Sequence, residues 1–371
     1  MFNKILLGKI LLLLVMLLVV MSGLTVFGCA RGSVPKGWSG AVVADDALFF
    51  GSMQGKVVAV DTSTHILLET KTTGGGFSCA PTSTTVAIYG TPVVAGDLVY
   101  VSGYNGKIYA ISRGTGLSKE EYLDEKKPQP IVGGPVVAQG KVYIGCSDGK
   151  VYALNAATLK KEWEFPTGNK IWSTPAIDNG TLYIGSFDKK IYALDAATGE
   201  KKWEFETQGA ITSTPVVYNS TVYIGSFDKY LYAVDTIDGS LVWKSKVEAD
   251  NWFWAKPVIC NNTVYAPCLD GKVYVLNAET GDEVVNAIDL ASPISSSPAL
   301  INDSIIVASE NGQVWTIDTG NNQKSELKNL GEKIYAPLCA GDETVYIHTQ
   351  KGILYEVNAQ TGAMRRLYPI E

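Results

Sequence analysis

The sequence predicts an all-β protein, an eight-bladed β-propeller of four-stranded antiparallel blades. Three observations predict it: one motif recurs eight times, each copy alternates apolar and polar residues with period two, and the composition favours short strands. Glycine occupies 37 of 371 positions and tyrosine 19, whereas charged residues make up only 18%. This composition is typical of strands joined by tight turns and argues against a helical bundle or a disordered chain.

The motif recurs at intervals of 40 to 50 residues. It is clearest in residues 142–163, 182–203 and 222–243, and the second of these reads LYIGSFDKKIYALDAATGEKKW. With the weaker copies included, the motif begins at Phe49, Val99, Val142, Leu182, Val222, Val264, Ile305 and Val345. The copies fill residues 38–371, so we expect one propeller and no further domain in that range.

Each copy contains four predicted strands, which are easiest to recognise in the fourth copy. Its first strand includes residues 176–177, the second is 182–186, the third is 191–195 and the fourth is 200–205. The turns between them are rich in Asn, Asp and Gly, which adopt the positive φ that tight turns require. A four-stranded blade cannot bury both of its faces alone, so the ring must close for the fold to be stable.

The N-terminus has the features of a targeting segment. Lys4 and Lys9 precede an apolar run, and the residues VFGC that end at Cys29 resemble a bacterial lipobox. We therefore predict a signal peptide over residues 1–28 and a lipidated tether over residues 29–37 that begins at Cys29.

Two alternatives remain for this segment, an uncleaved N-terminal helix and plain secretion. Residues 10–27 form an apolar stretch of 18 residues, which is just long enough to cross a bilayer. The positive-inside rule gives the same topology for a lipid anchor and for an uncleaved helix. In both cases we expect an extracytoplasmic, membrane-anchored protein.

Charge, histidine and cysteine content exclude several classes of function. The formal net charge of −6 argues against non-specific nucleic-acid binding, which needs clustered cations. The two histidines, His65 and His348, have no serine or aspartate partner suggested by spacing, so a catalytic triad is not expected. Five cysteines follow Cys29 without a CxxC motif, so at least one is unpaired, and we expect buried free thiols. Cys146 and Cys268 occupy equivalent positions in blades three and six and should lie far apart. The sequence thus predicts no metal site and no catalytic residue.

The turn after the third strand carries a family resemblance. Residues 193–203, ALDAATGEKKW, resemble the tryptophan-docking motif of the pyrroloquinoline-quinone-like repeat propellers, and the copies at 153–163 and 233–243 are similar. We expect the tryptophans to pack between adjacent blades and the aspartates to brace the following turn; these residues are Trp163, Trp203, Trp243, Asp195 and Asp235.

With a lipobox and eight copies, the chain is closest in form to the propeller lipoproteins of the outer-membrane β-barrel assembly machinery. This resemblance implies a non-catalytic scaffold for protein partners. The family also includes quinone-dependent dehydrogenases, whose alcohol-oxidising members have longer chains and an adjacent cysteine pair. Since this sequence has neither, we predict that it binds no cofactor, and a quinone-dependent enzyme remains an alternative.

One recurring position is predicted to surround a mouth of the central channel. It lies three residues before the proline of each inner strand, or before Ala41 in the first blade, and is occupied by Trp38, Tyr89, Val132, Trp172, Thr212, Trp254, Ser295 and Ile334. Together with neighbouring aromatic residues it predicts an aromatic collar, whose candidate binding residues are Trp38, Tyr89, Trp172, Trp252, Trp254 and Tyr335.

The surroundings of the collar suggest what it binds. An outer ring of acids is expected at Asp148, Asp188, Asp228 and Asp270, and the long insertion at 71–85 lies on the same face. Aromatic rings surrounded by acids suit a peptide segment or a sugar ring, although the aromatic residues could also simply plug the funnel.

These observations predict a monomeric propeller that acts as an extracytoplasmic protein-interaction scaffold, in envelope or outer-membrane protein assembly. The alternatives are a carbohydrate- or peptide-binding surface lipoprotein and the quinone-dependent enzyme. A nucleic-acid partner is not expected.

Overall fold

The computed structural model describes residues 37–52, 55–72, 86–113 and 118–369. The predicted signal peptide, Cys29 and most of the insertion at 71–85 lie outside these ranges. Within them the chain forms 32 strands in eight sheets of four, and no helix there is long and apolar enough to span a membrane. The prediction of an all-β, eight-bladed propeller is confirmed.

The first four blades contain strands β1 to β16. Their bounds are β1 Ala41–Ala44, β2 Ala47–Gly51, β3 Lys56–Asp61, β4 Leu67–Thr72, β5 Val93–Ala95, β6 Leu98–Ser102, β7 Lys107–Ser112, β8 Ser118–Tyr122, β9 Val136–Ala138, β10 Lys141–Gly145, β11 Lys150–Asn155, β12 Lys161–Pro166, β13 Ala176–Asp178, β14 Thr181–Gly185, β15 Lys190–Asp195 and β16 Lys201–Glu206.

The last four blades contain strands β17 to β32. Their bounds are β17 Val216–Tyr218, β18 Thr221–Gly225, β19 Leu231–Asp235, β20 Leu241–Lys244, β21 Val258–Cys260, β22 Thr263–Pro267, β23 Lys272–Asn277, β24 Glu283–Asp289, β25 Ala299–Ile301, β26 Ser304–Ala308, β27 Gln313–Asp318, β28 Lys324–Asn329, β29 Cys339–Ala340, β30 Thr344–His348, β31 Leu354–Asn358 and β32 Met364–Tyr368.

Every blade is an antiparallel meander of four consecutive strands. In blade four, Tyr183 pairs with Ala176 on the inner side and with Ala193 on the outer side, and Ala193 pairs with Trp203. The register shifts between Ala193 and Leu194, and a bulge recurs between the third and fourth strands of other blades. The repeated register places equivalent side chains of successive copies at equivalent positions around the ring.

The core lies between blades, and each blade contributes to two parts of it. On β14, Leu182 and Ile184 belong to the apolar cluster shared with blade three. The intervening Tyr183 belongs to the cluster shared with blade five. Successive side chains point to opposite faces of the sheet, and both faces are buried against a neighbouring blade. The middle strands are therefore nearly continuous apolar runs in the sequence.

Adjacent blades are joined by a tyrosine and a tryptophan that reach one turn of the next blade. Trp203 donates its indole N–H to the carbonyl of Thr236 at 3.0 Å, and its ring lies directly over Gly239. The Trp163 and Trp243 rings make the same bond to Ala196 and Ala278, at 3.2 and 2.8 Å. The hydroxyl of Tyr143 also donates to Ala196, at 2.9 Å. Each contact couples burial of a large ring to a hydrogen bond that fixes the position of the next blade.

The ring closes without exchange of a strand between the first and last blades, because β1–β4 and β29–β32 are each complete sheets. Closure depends on an apolar cluster that includes Phe50 and Leu367, and on His348. The His348 ring lies 5.1 Å from the Phe50 ring, and its Nδ1 is 2.8 Å from the carbonyl oxygen of Ser39. Because a carbonyl only accepts, Nδ1 carries the proton, and Nε2 has no partner among the described residues.

We predict that Gly239→Ala destabilises the propeller by about 2 to 4 kcal/mol. An added Cβ would lie 2.7 Å from the Trp203 ring, and the φ of 75° is unfavourable for alanine. Gly140→Ala is the matched control, because its φ is 73° and nothing lies within 4 Å of its Cβ position. That change should cost only about 1 kcal/mol in chemical denaturation. Equal costs would show that the backbone, and not blade docking, requires glycine at 239.

We also predict that His348 makes closure of the ring sensitive to acid. Burial lowers the pKa of His348 from 6.5 to about 4. Below about pH 6.5 the histidine is protonated in the unfolded chain but stays neutral in the folded chain. The free energy of unfolding therefore falls between pH 6.5 and pH 4, by up to about 3 kcal/mol. Unfolding free energies measured across this range should fall less steeply in His348→Gln than in the wild type. The control is His65→Gln, which removes the other histidine, a partly buried one beside Glu356. This variant should retain the steep fall, and an unchanged slope in His348→Gln would contradict the assignment.

Candidate functional site

A cavity of about 300 Å³ opens at one mouth of the central channel, and all eight blades contribute to its wall. This is the mouth where the inner strands begin and the turns between second and third strands lie. In blade four, the Phe187 amide of that turn donates to the carbonyl of Lys170 at 3.0 Å, and the bond recurs in blades two, three, five, six, seven and eight. These bonds hold the entry segments of the inner strands in place around the cavity.

The segment before each inner strand alternates between the core and the cavity. In blade four, Ile171 is fully buried between blades, Trp172 faces the cavity, Ser173 is fully buried and Thr174 faces the cavity again. The same alternation around the ring produces two tiers of cavity-lining side chains. The upper tier consists of the residues of each blade at the position of Trp172, and the lower tier consists of those at the position of Thr174.

The upper tier contains most of the residues that the sequence predicted for the collar. Trp38, Tyr89, Val132, Trp172, Thr212, Trp254, Ser295 and Tyr335 line the cavity. The expectation for Ile334 is wrong, since this residue is 0% exposed and packs between blades. Blade eight has one residue fewer between its buried isoleucine and its proline, so counting back from Pro337 reaches the core instead of the mouth.

Two aromatic clusters form at this mouth, on opposite sides of the ring. In the first, Trp38 of blade one lies 4.8 Å from Tyr89 of blade two and 5.3 Å from Tyr335 of blade eight, measured between ring centroids. Tyr104 extends this cluster, 5.3 Å from Tyr89, and is 41% exposed. Because blades eight, one and two are consecutive in the closed ring, this cluster covers one side of the mouth.

The second cluster belongs to blades four, five and six. Trp172 lies 6.2 Å from Trp254 and 4.8 Å from Phe187, and Phe227 lies 5.8 Å from Trp254. Trp252 does not line the cavity; it stacks on the outer side of Phe227 at 4.5 Å and is 44% exposed. The structure therefore brings five of the six candidate binding residues to the cavity and places Trp252 on its rim.

The lower tier is polar. Thr91, Thr174, Thr214 and Ser297 surround the cavity at this level, and Lys256 occupies the equivalent position in blade six. The Lys256 backbone amide donates to Ser297 Oγ at 3.1 Å, which joins blades six and seven. Lys256 is the sole charged residue among the described residues that line the cavity.

Between the tiers, buried serines join the blades in sequence. Ser39 Oγ donates to the carbonyl of Gly90 at 3.0 Å, Ser173 Oγ to Ser213 at 2.8 Å and Ser213 Oγ to Ala255 at 2.9 Å. Each bond connects one blade to its successor at the level of the cavity. The wall of the site is therefore part of the rigid scaffold.

The four aspartates expected around the collar are engaged within the fold. Asp188 accepts hydrogen bonds from the Lys190 amide at 3.0 Å, the Gly168 amide at 2.6 Å and the Tyr192 hydroxyl at 2.7 Å. Asp148, Asp228 and Asp270 make equivalent bonds to their own turns. Burial, followed by the bond to Asp188, raises the pKa of Tyr192. These carboxylates stabilise the turns, and their oxygens already accept hydrogen bonds from within the fold.

Asp195 and Asp235 lie at the opposite ends of the strands, away from the cavity. Asp195 Oδ1 accepts hydrogen bonds from the amides of Ala197 and Thr198 at 2.9 and 3.0 Å, and Asp235 Oδ1 accepts from Ile237 at 2.7 Å. They close the turns on which the neighbouring tryptophans dock.

The sequence did not single out Lys256, Tyr104, Phe187 or Phe227. Lys256 stands where blades four and five have threonine, so its signal was a break in the repeat at an inward-facing position. The two phenylalanines belong to the recurring GSFD turn, which lies beside the collar only once the strand ends are placed.

The cavity does not fit a calcium-bound quinone. Calcium prefers carboxylate and amide oxygens, and the described residues that line the cavity include no Asp, Glu, Asn or Gln. Across the described ranges no group of three His, Cys, Asp or Glu side chains could hold a metal ion. Cys146 and Cys268 are buried free thiols, and burial raises the pKa of each to about 12.

The chain is similar to other propellers in both sequence and structure. A family model described as outer membrane protein assembly factor BamB matches residues 30–244 and 148–368. BamB from Moraxella catarrhalis is similar in structure, with a TM-score of 0.72 and 19% identity over 85% of this chain and 95% of that one. The computationally designed Ika8 protein is similar with a TM-score of 0.73 and 16% identity, over 88% and 98%. At these identities the two structures show the fold alone. No curated protein matches the chain.

We predict that the collar tryptophans contribute less to stability than the docking tryptophans. Trp172 and Trp254 are partly exposed, so Trp172→Ala combined with Trp254→Ala should cost about 2 kcal/mol. Trp203 is 7% exposed and hydrogen-bonded, so Trp203→Ala alone should cost about 3 to 5 kcal/mol. Urea unfolding of the two variants measures both values. A larger loss in the collar variant would indicate that these rings serve mainly to plug the funnel.

Proposed function

Because the chain belongs to the family of outer membrane protein assembly factor BamB, we propose that it is a protein-interaction scaffold in envelope protein assembly. In this proposal the propeller is non-catalytic, acts as a monomeric ring and recruits protein partners outside the cytoplasmic membrane.

The observation that carries this proposal is the aromatic mouth. Large side chains rarely remain exposed next to one another on a soluble protein unless they meet a partner. Trp252 and Tyr104 are 44% and 41% exposed on opposite sides of the cavity, and each continues a cluster whose other rings are partly buried. Rigid aromatic anchors of this kind supply most of the binding energy at protein interfaces.

Anchoring at the membrane completes the proposal. A lipidated Cys29, or an uncleaved N-terminal helix, would hold the ring close to the membrane surface. The mature chain lacks the net positive charge that would attach it to anionic lipids, since its acids outnumber its bases. Attachment would therefore depend on the N-terminal segment and leave both faces of the propeller free for partners.

A second candidate function is binding of a short peptide or a sugar by a surface lipoprotein. Its support is the size of the cavity, since about 300 Å³ lies at the lower end of small-ligand sites. Trp172 and Trp254 would provide the faces on which sugar rings stack. Binding to glycans that is lost in the variant with alanine at both positions would favour this function.

We predict that a photocrosslinking amino acid at position 252 or 104 captures an envelope protein in intact cells. The reason is the exposure of these positions beside the cavity. Glu200 and Glu279 are exposed in turns on the opposite face and provide the control positions. Adducts should form at the mouth and not at the control positions, and mass spectrometry identifies the captured protein.

A third position distinguishes another surface. Ile237, Leu241 and Val242 are exposed apolar residues on the outermost strand of blade five and the turn before it, and Ile237 is 83% exposed. Adducts at position 237 alone would place the partner on this edge and contradict the mouth as the interaction surface. Equal labelling of the mouth and the control positions would contradict a specific interface on either face.

A further inference from the structure

The cavity combines an uncompensated cation with hydroxyl groups that lack partners. The Lys256 side chain projects into the channel, where it keeps contact with solvent through the open mouth. No ion pair or hydrogen bond of its ammonium group occurs among the described residues. Removal of surrounding water lowers the pKa of Lys256, and no acidic side chain opposes this effect.

Three hydroxyl groups on the neighbouring blades are also unsatisfied. Thr212 in blade five is 7% exposed, and its Oγ1 has no hydrogen-bond partner among the described residues. In blade seven, Ser295 Oγ and Ser296 Oγ are buried and likewise without a partner there. Buried hydroxyls are normally hydrogen-bonded, so these hydroxyls on both sides of a lone ammonium group keep their hydrogen-bonding capacity for a group that enters the cavity.

The arrangement is local, because blades five, six and seven are adjacent. Thr212 and Ser295 face the cavity in the upper tier, and Lys256 and Ser297 lie in the lower tier. Ser297 is held against blade six by the bond from the Lys256 amide. In the other blades the lower tier is neutral, so the charge is confined to one sector of the ring.

We propose that this sector, formed by Lys256, Thr212 and Ser295, binds a carboxylate group. A single ammonium group balances a carboxylate, whereas a phosphate would leave a second negative charge uncompensated in the cavity. The hydroxyl oxygens Thr212 Oγ1 and Ser295 Oγ are buried in this structure, and rotation about χ1 would turn each hydroxyl toward the carboxylate, whose oxygens can accept several hydrogen bonds.

The remainder of the ligand is apolar. The carboxylate sector borders Trp254, and Trp172 lies 6.2 Å from Trp254 on the same wall. A cavity of about 300 Å³ admits a chain end or a small molecule but not a folded surface. The free C-terminus of a peptide that ends in apolar residues meets both requirements.

This inference deepens the proposed function. It rests on that function in one respect, the expectation that the carboxylate belongs to a protein partner. The chemistry of the site would be the same for a small apolar acid. A peptide and a small acid are therefore used as separate probes, to distinguish a peptide C-terminus from a small apolar acid.

The test is a binding measurement on the purified full chain with the peptide acetyl-Ala-Val-Leu as its free acid and as its amide, followed by tryptophan fluorescence. We expect the free acid to bind about tenfold or more tightly than the amide. Lys256→Met should remove this difference, and Thr212→Val should reduce it. Lys170→Met is the matched control, because Lys170 lies over Trp172 at the mouth but does not line the cavity. It should preserve the preference for the acid.

Equal binding of acid and amide, a preference that survives in Lys256→Met, or no binding of either peptide at millimolar concentration would overturn the inference. Competition between 3-phenylpropionate and the free-acid peptide supports the carboxylate site. If 3-phenylpropionate binds with the same affinity as the peptide, a small apolar acid is sufficient for binding. If the peptides fail to bind while crosslinks at position 252 persist, the inference fails and the proposed function stands. If the acid binds but no crosslink forms, the proposed function fails and the carboxylate site stands.

Discussion

The whole structure depends on one constraint: a blade of this sequence buries its two faces only against its neighbours. Leu182 and Tyr183 are adjacent in sequence, yet each packs in a different inter-blade cluster. A chain with an open end would leave one such face in water, at a cost that no single blade can offset. The ring must therefore close, and closure here is made by side chains, through Phe50 and His348, without an exchanged strand. The docking tryptophans apply the same constraint between interior blades, since each inserts its ring over a turn of the next blade.

Closure also creates the site. When eight inner strands converge on an axis, the residues that enter them alternate between the core and the channel, and only the core positions are restricted by packing. Ile171, Ile211, Ile294 and Ile334 are all 0% exposed, whereas their neighbours in the upper tier range from tryptophan to serine. The cavity wall is thus free to vary in chemistry while its backbone stays fixed by the serine bonds between blades. A ligand of this cavity would meet preorganised groups, which reduces the entropy lost on association.

The sequence was sufficient for the fold because the repeat supplies eight aligned observations of one blade. It was also sufficient for most of the collar, since the position of Trp172 relative to Pro175 is repeated in most copies. It failed where a copy departs from the repeat. In blade eight one residue is missing before Pro337, so the third residue before this proline is the buried Ile334, and Tyr335 lines the cavity instead. Trp252 precedes a buried Phe253 in the segment before β21, and its place on the rim follows from stacking on Phe227, a contact between blades that spacing within one copy does not encode. The acids at Asp148 and its equivalents were placed correctly near the mouth, but their hydrogen bonds to the turns became apparent only in three dimensions.

The departures from symmetry are where specificity arises. A ring of eight identical blades would present the same wall in every direction and could not orient an asymmetric ligand. This ring places one aromatic cluster on blades eight, one and two and the other on blades four, five and six. Lys256 in blade six is the one charged residue in the described part of the cavity wall. An apolar chain with a polar end therefore meets different partners on different sides of the same cavity. The buried residues that hold these positions are the common part of the repeat. We therefore expect a substitution at Lys256 or Trp254 to change what the cavity binds with little effect on the ring, whereas a substitution at Trp203 or Gly239 should act on the ring itself.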